Sequence, residues 1–159
     1  MTGPEIVDQA LLDRVLAAAR ASPRLRRNHN FHDSTGHPCQ RLLNAVVPGT
    51  YIQPHRHLDP GKDEMLVILR GSLGLVFFDE AGAVTGTVLL AAGGATIGAN
   101  IPTRQFHAGV VLEPAVVLEV KAGPYAPNRP DEKAGFAPEE GAPGAAEYLA
   151  RLRRLFDAA

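Results

Sequence analysis

The chain has 159 residues, 45% of them hydrophobic and 21% charged, with a formal net charge of −1. That length suits one domain able to bury a core without staples, while the near-zero charge, the absence of Trp and the few aromatics argue against nucleic-acid partners and anionic membranes. A single cysteine, Cys39, excludes an intrachain disulfide framework.

At the N-terminus Glu5, Asp8 and Asp13 stand where a signal peptide would carry a basic and then an apolar stretch, so no leader is expected and a cytoplasmic location is. No apolar run reaches the roughly 20 residues that cross a bilayer. Thr2-Gly3-Pro4-Glu5 fits a capping box, and Ile6, Leu11, Leu12, Val15, Leu16 and Ala19 form an apolar stripe at helical spacing. Ser22-Pro23 ends this helix, because the residue before a proline disfavours the helical region, so residues 1–22 are assigned to an N-terminal helix.

Arg24–His32 is polar and basic and reads as a solvated connector. Its functional alternative is a segment crossing a barrel mouth, with Arg26, Arg27, His29 or His32 facing a ligand. Strands are then predicted at Gln40–Val47, around His55, at Glu64–Leu69, Gly74–Phe78, Val84–Leu90, Ala95–Ile97, Gln105–Leu112 and Ala115–Lys121. Short strands punctuated by Gly and Pro, with no helix between them, indicate an antiparallel sandwich or barrel over residues 23–123, with an interior able to hold one small ligand. Residues 124–143, rich in Pro and Gly, read as a crossing segment or linker. Tyr148, Leu149, Leu152, Leu155 and Phe156 then form the stripe of a C-terminal helix over 144–159, docked on the barrel or on a second subunit.

The stretch Gly49–Gly71, GTYIQPHRHLDPGKDEMLVILRG, concentrates the chemistry. Side chains two apart on an extended strand share a face, so His55 and His57 aim into one space and Arg56 points away. Glu64 opens the next apolar run and can close on the same point; Asp59 and Asp63 are alternative carboxylates. His107 supplies a fourth donor. Imidazole and carboxylate together suit a divalent metal: zinc, iron, manganese or nickel. Glu119 and Lys121 share a face of their strand. If inward they offer a carboxylate base and an ammonium for an anionic substrate; if outward they are a surface pair. A regular strand lets only one of Arg41 and Asn44 face inward, and Lys62 sits in the loop beside the ligands as a turn or a gate.

The pattern G-x5-H-x-H-x6-E-x6-G resembles the first motif of the cupin superfamily, and Pro102–His107 resembles the second, P-x-G-x-x-H. The spacing from His57 to Glu64 is longer than in many cupins, Arg104 stands at the usual Gly, and Val111 stands where Asn often closes the second motif. Further strings, NHNFH at 28–32, QRLLNA at 40–45, PGTYIQPHRHLDPGKDE at 48–64, LRG at 69–71 and EVKAGPY at 119–125, resemble the WbuC-type cupin-fold metalloproteins of bacteria. The resemblance implies an all-β core, an antiparallel double-stranded β-helix (cupin) barrel flanked by an N-terminal and a C-terminal α-helix. It also implies a bound divalent metal on His55, His57 and His107 with Glu64, and pocket roles for His29, Asn30, His32, Arg41 and Lys121; Lys62 is counted with the substrate-binding candidates. WbuC is associated with bacterial surface-polysaccharide gene clusters. The expected function is a metal-dependent enzyme on a sugar or other polar anionic metabolite, with an iron(II) oxygenase and a non-catalytic binding cupin as alternatives. A small-molecule ligand and a homodimer are the expected partners.

Overall fold

The computed structural model describes residues 3–157, so Thr2 of the expected capping box lies outside the described residues. Among the described residues two α-helices and eight strands follow one another, α1 (Gln9–Arg20), β1 (Arg26–Asn30), β2 (Cys39–Val46), β3 (Glu64–Arg70), β4 (Ser72–Phe78), β5 (Val84–Ala91), β6 (Gly98–Ile101), β7 (Phe106–Val111), β8 (Ala115–Ala122) and α2 (Ala145–Arg153), with short 3-10 turns at Pro130–Glu132 and Arg154–Phe156. The strands form a five-stranded antiparallel sheet in the order β1-β2-β8-β3-β6 and a three-stranded one in the order β5-β4-β7. This is the expected cupin-type barrel with a helix at each end of the chain.

The layering explains why its strands are apolar on consecutive residues. In β4, Leu73 and Leu75 face the space between the sheets, while Val76 and Phe78 face outward onto α2. In β2, Val46 faces inward, while Leu43 and Ala45 lie beneath Leu11, Leu12, Val15, Leu16 and Ala19 of α1. With both faces covered, a strand loses the polar–apolar alternation of a half-exposed one. On α2 and the turn after it, Tyr148, Leu152 and Phe156 are buried against β4 and β7, each fully buried side chain contributing about 1.5–3 kcal/mol. The Phe156 ring lies so close over Gly74 that a Cβ there would approach ring carbon at 2.4 Å.

Three elements differ from expectation. Helix α1 begins later than predicted: Asp8 is its N-cap and accepts from Leu11 N at 2.8 Å, leaving Glu5 and Ile6 outside the helix. β1 forms where a connector was expected. It is the polar edge of the five-stranded sheet and is held by backbone pairing with β2 from Arg26↔Val46 to Asn30↔Leu42. Among the strands, the run Ala95–Ile97 precedes β6 instead of forming it, though the Ile97 carbonyl still accepts from Ile68 N at 2.8 Å.

Residues 124–143 are an ordered strap. Ala134 N donates to Pro54 O at 2.9 Å and Arg56 N to Glu132 O at 2.8 Å. His55 bridges His107 on one side and Lys133 on the other, so the His-x-His segment extends the smaller sheet beyond β7.

Candidate metal centre

Strand parity brings the site together. β3 turns Glu64, Leu66 and Ile68 inward, and β8 turns Val117, Glu119 and Lys121 inward, with Glu64 directly opposite Lys121. β7 turns His107 inward, paired with Phe77. The His-x-His segment is pinned to β7 by reciprocal bonds, His55 N to His107 O at 3.0 Å and His107 N to His55 O at 2.9 Å. Two turn positions serve this frame. Gly71 closes the β3–β4 turn at φ 71, where a Cβ would meet Pro114 O at 2.1 Å, so only glycine fits. Arg104, at the usual glycine of the second motif, adopts φ 71, the left-handed conformation that a glycine would supply.

Donor atoms of His55, His57 and Glu64 lie within 4.8 Å of one another. His107 joins them, its Nε2 standing 3.2 Å from Glu64 Oε2, and His57 Nε2 stands 3.5 Å from that same oxygen. The rings of His55 and His107 have centroids 4.7 Å apart. Nδ1 of His55 faces Gln53 O at 3.1 Å, and Nδ1 of His107 faces Gln105 O at 3.0 Å. A carbonyl oxygen only accepts, so both Nδ1 atoms carry a proton, and in the neutral ring it is Nε2 that presents the lone pair. Burial, reinforced by His107, lowers the His55 pKa to about 3 and keeps that imidazole neutral.

Electron-rich atoms therefore converge on one buried point. Among the described residues, His57 Nε2 and Glu64 Oε2 are buried without any hydrogen-bond partner. Native proteins seldom leave such groups unmatched, and imidazole nitrogens facing a carboxylate oxygen at these distances call for a proton or a cation between them. The donor set fits a divalent cation, which His55, His57, His107 and Glu64 would hold. Glu64 Oε1 is already engaged by Lys121 Nζ at 3.3 Å, so Oε2 is the oxygen left for the ion.

Around these groups opens a cavity of about 540 Å³ with an apolar wall of Leu66, Leu73, Leu75 and Val117. Glu119 and Lys121 face into it as a pair at 2.5 Å, and Asn44 Nδ2 donates to Glu119 Oε2 at 3.4 Å. Burial, then the neighbouring Glu64 charge, pushes the Glu119 carboxyl up to about 7. Burial opposes the Lys121 ammonium, but Glu64 and Glu119 outweigh it and raise its pKa.

Other expected site residues are placed elsewhere. Asn30 and His32 line a separate cavity of about 280 Å³ that shares Glu119 and Lys121 with the first. His29 lies outside both, against Glu5 at 2.7 Å, because β1 is an edge strand and alternate residues face solvent. Arg41 is exposed and Asn44 takes the inward place, as parity requires of a strand carrying both. Lys62 is turned to Asp59 at 3.2 Å and lines neither cavity. Asp59 binds Lys62 and Arg129, and Asp63 accepts from Thr103 N at 2.9 Å, so neither alternative carboxylate joins the cluster. Sequence reading missed Glu132. Buried in the strap, it accepts from Leu58 N and Arg129 N, both at 2.9 Å, and so fixes the chain just after His57. Periodicity carries no signal for a contact that distant along the chain.

The model of the family described as a domain of unknown function, DUF6016, matches residues 7–90, just over half of the chain. The chain belongs to the DUF6016 family. The matched stretch holds His55, His57 and Glu64; His107, Glu119 and Lys121 follow it. No curated protein matches the sequence. Among solved structures, the conserved SPY1581 protein of unknown function from Streptococcus pyogenes is similar with a TM-score of 0.53 at 15% identity, over 79% of this chain and 93% of that one. The TT1209 protein from Thermus thermophilus is similar with a TM-score of 0.53 at 25% identity, over 75% and 97%. KdgF from Halomonas sp. is similar with a TM-score of 0.50 at 16% identity, over 69% and 86%. These likenesses show a shared fold. Here the DUF6016 chain folds as a cupin-type barrel with a His-His-Glu cluster that could hold a metal ion.

Proposed function

We propose that this DUF6016 protein is a metal-dependent enzyme acting on a small, polar, anionic metabolite, with a sugar derivative as the preferred class. The observation that carries the proposal is the pairing, in one cavity, of a cluster of unmatched metal donors with the inward Glu119–Lys121 pair. A sealed structural site would have no need of such a pair. When bound, the metal would polarise a substrate oxygen or acidify a water. The chain's own residues supply the rest. Lys121 holds negative charge beside the site, Glu119 Oε2 is the atom placed to take a proton from a bound substrate, and Asn44 Oδ1, buried and unpartnered, accepts from a substrate hydroxyl. The apolar wall excludes bulk water from this side. Resemblance to WbuC-type proteins supports a role in bacterial surface-polysaccharide synthesis, and a homodimer in the cytoplasm accords with it.

The test is elemental analysis of the purified protein, followed by binding and turnover of sugar phosphates and nucleotide sugars by the metal-loaded form. Turnover lost in Glu119→Gln with metal retained supports the reading. Failure to bind or convert any of these compounds overturns it, and oxygen uptake with iron(II) would assign the site to oxygenase chemistry instead.

A further inference from the structure

Two arginines on the wall of the same cavity close on a single carboxylate of the chain itself. Arg24 donates to Glu140 from Nε at 2.9 Å and from Nη2 at 2.6 Å, a forked pair, and Arg26 Nη2 reaches Glu140 Oε2 at 2.6 Å. All three residues line the cavity that holds the metal donors.

Arg26 is fixed by the fold, while the Arg24 side chain, 64% exposed, is placed by the backbone beside it and by Glu140 itself. Arg26 starts β1, its side chain is only 13% exposed, and its Nη1 donates to Tyr51 O at 3.1 Å. Between the arginines, Leu25 adopts φ 56, and its carbonyl accepts from Thr50 Oγ1 at 2.6 Å and Val47 N at 3.0 Å. A left-handed leucine persists only where its surroundings overdetermine it, and here it sets the two guanidiniums on one carboxylate. Glu140, by contrast, lies in a turn closed by Ala142 N to Glu139 O at 3.0 Å, followed by Gly141 at φ 80, and its side chain is 35% exposed. The strap is anchored before this turn by Tyr51 Oη to Pro138 O at 2.6 Å and after it by the buried Ala145. The carboxylate can swing out while both anchors hold.

We propose that Arg24 and Arg26 form an oxyanion subsite for the charged end of the substrate, a carboxylate or a phosphate, and that Glu140 fills this subsite until the substrate displaces it. The inference rests on reading the cavity as a site for an anionic metabolite and adds where the anion sits. Guanidinium forks match the planar oxygens of carboxylate and phosphate, which a flexible ammonium does not. A subsite filled nine-tenths of the time by an internal competitor weakens apparent affinity about tenfold, so Glu140 also acts as a filter against weak anions.

The test uses the full chain with its purified metal, titrated calorimetrically at constant ionic strength with inorganic phosphate and, separately, acetate. Glu140→Gln is expected to bind one of them about tenfold more tightly than the unaltered protein, and the gain should vanish in Glu140→Gln/Arg26→Gln. A gain for phosphate alone assigns a phosphorylated substrate, and a gain for acetate alone a carboxylate. A folded Glu140→Gln with unchanged or weaker binding of both anions overturns the proposal, leaving an ordinary ion pair. Should Glu140→Gln fail to fold, Glu140→Asp, one methylene shorter, must show the gain or the proposal fails. Metal content of the same samples separates the two readings: intact metal with no anion gain defeats the subsite alone, and an anion gain on a chain that takes up no metal defeats only the metal centre.

Discussion

Replacing Lys121 by Met, which keeps the length and removes the charge, probes the electrostatic centre of the site. Lys121 Nζ lies 2.5 Å from Glu119 and 3.3 Å from Glu64, and all three side chains are almost fully buried. At an effective dielectric of about 20, these separations correspond to roughly 7 and 5 kcal/mol of attraction before the cost of burying the ions is subtracted. What the variant loses is the net effect of stranding buried partners, about 3–5 kcal/mol. For a chain of this length, that lowers Tm by about 6–20 °C. The pH dependence gives the sharper signature. Glu119 titrates near 7 in the folded protein, above the value of about 4.3 expected when unfolded. The folded state thus holds the extra proton in that window, and this group's contribution to stability falls as pH rises from about 4.3 to 7 and then levels off. Without the ammonium, Glu119 must titrate higher still, so the falling limb should extend past pH 7. Thermal unfolding in chelator, from about pH 5 to 9, should show a small loss at the acid end and a large one at the alkaline end. Adding a divalent metal should recover part of it by neutralising Glu64. Equal losses at both ends of the range, or a loss below about 3 °C throughout, would refute the neutralising role of Lys121.

His57→Ala removes one of four converging donors and should lower metal affinity by more than the roughly 10–100-fold typical of losing a mere supporting partner; Glu64→Gln, which keeps an oxygen donor, should cost less. Full metal retention in both, by elemental analysis after dialysis, would disprove the ligand assignment. Arg104→Gly relieves a left-handed arginine, a cost of about 1–2 kcal/mol, against an entropic penalty of about 0.4–1 kcal/mol. The net expectation is a Tm rise of a few degrees, and a fall would mean that the arginine side chain stabilises the turn. Phe156→Ala uncovers Gly74 and the outer face of β4 and should cost about 3–5 kcal/mol in a urea titration. A loss under about 1 kcal/mol would mean that the last turn is frayed in solution.

The barrel was legible because its strands are short, rich in branched residues and bounded by glycine and proline. The two helices were legible because each presents a stripe that must find a sheet to cover. β1 was not. Arg26-Arg27-Asn28-His29-Asn30 has no apolar alternation, since it adds to an edge through backbone bonds and contributes side chains to a cavity and to solvent. The same blindness hid the strap. Proline and glycine mark Gly123–Pro143 as irregular, but nothing local says that Glu132 will brace the residue after His57 or that Glu140 will reach Arg24 and Arg26. His29, Arg41 and Lys62 misled for a related reason: polarity near a site along the chain does not fix the face on which a side chain emerges.

Glu64 shows where spacing stops being informative. Its distance from His57 is long for the motif, which left two aspartates in the loop as rivals. Yet loop length does not set the direction of Glu64. The loop is pinned at its start by Glu132 on Leu58 N and at its end by Asp63 on Thr103 N, and the intervening residues turn outward through Lys62 N to Asp59 O at 3.2 Å. β3 then takes its register from β8, with Glu64 opposite Lys121 and Leu66 opposite Glu119. A one-residue slip would turn Met65 into the cluster and Glu64 out to solvent, burying Lys121 beside Glu119 alone and sending Leu66 and Ile68 out of the core. Packing of that alternate set of apolar side chains therefore fixes the carboxylate oxygen beside the imidazoles, whatever the number of residues that loop between them.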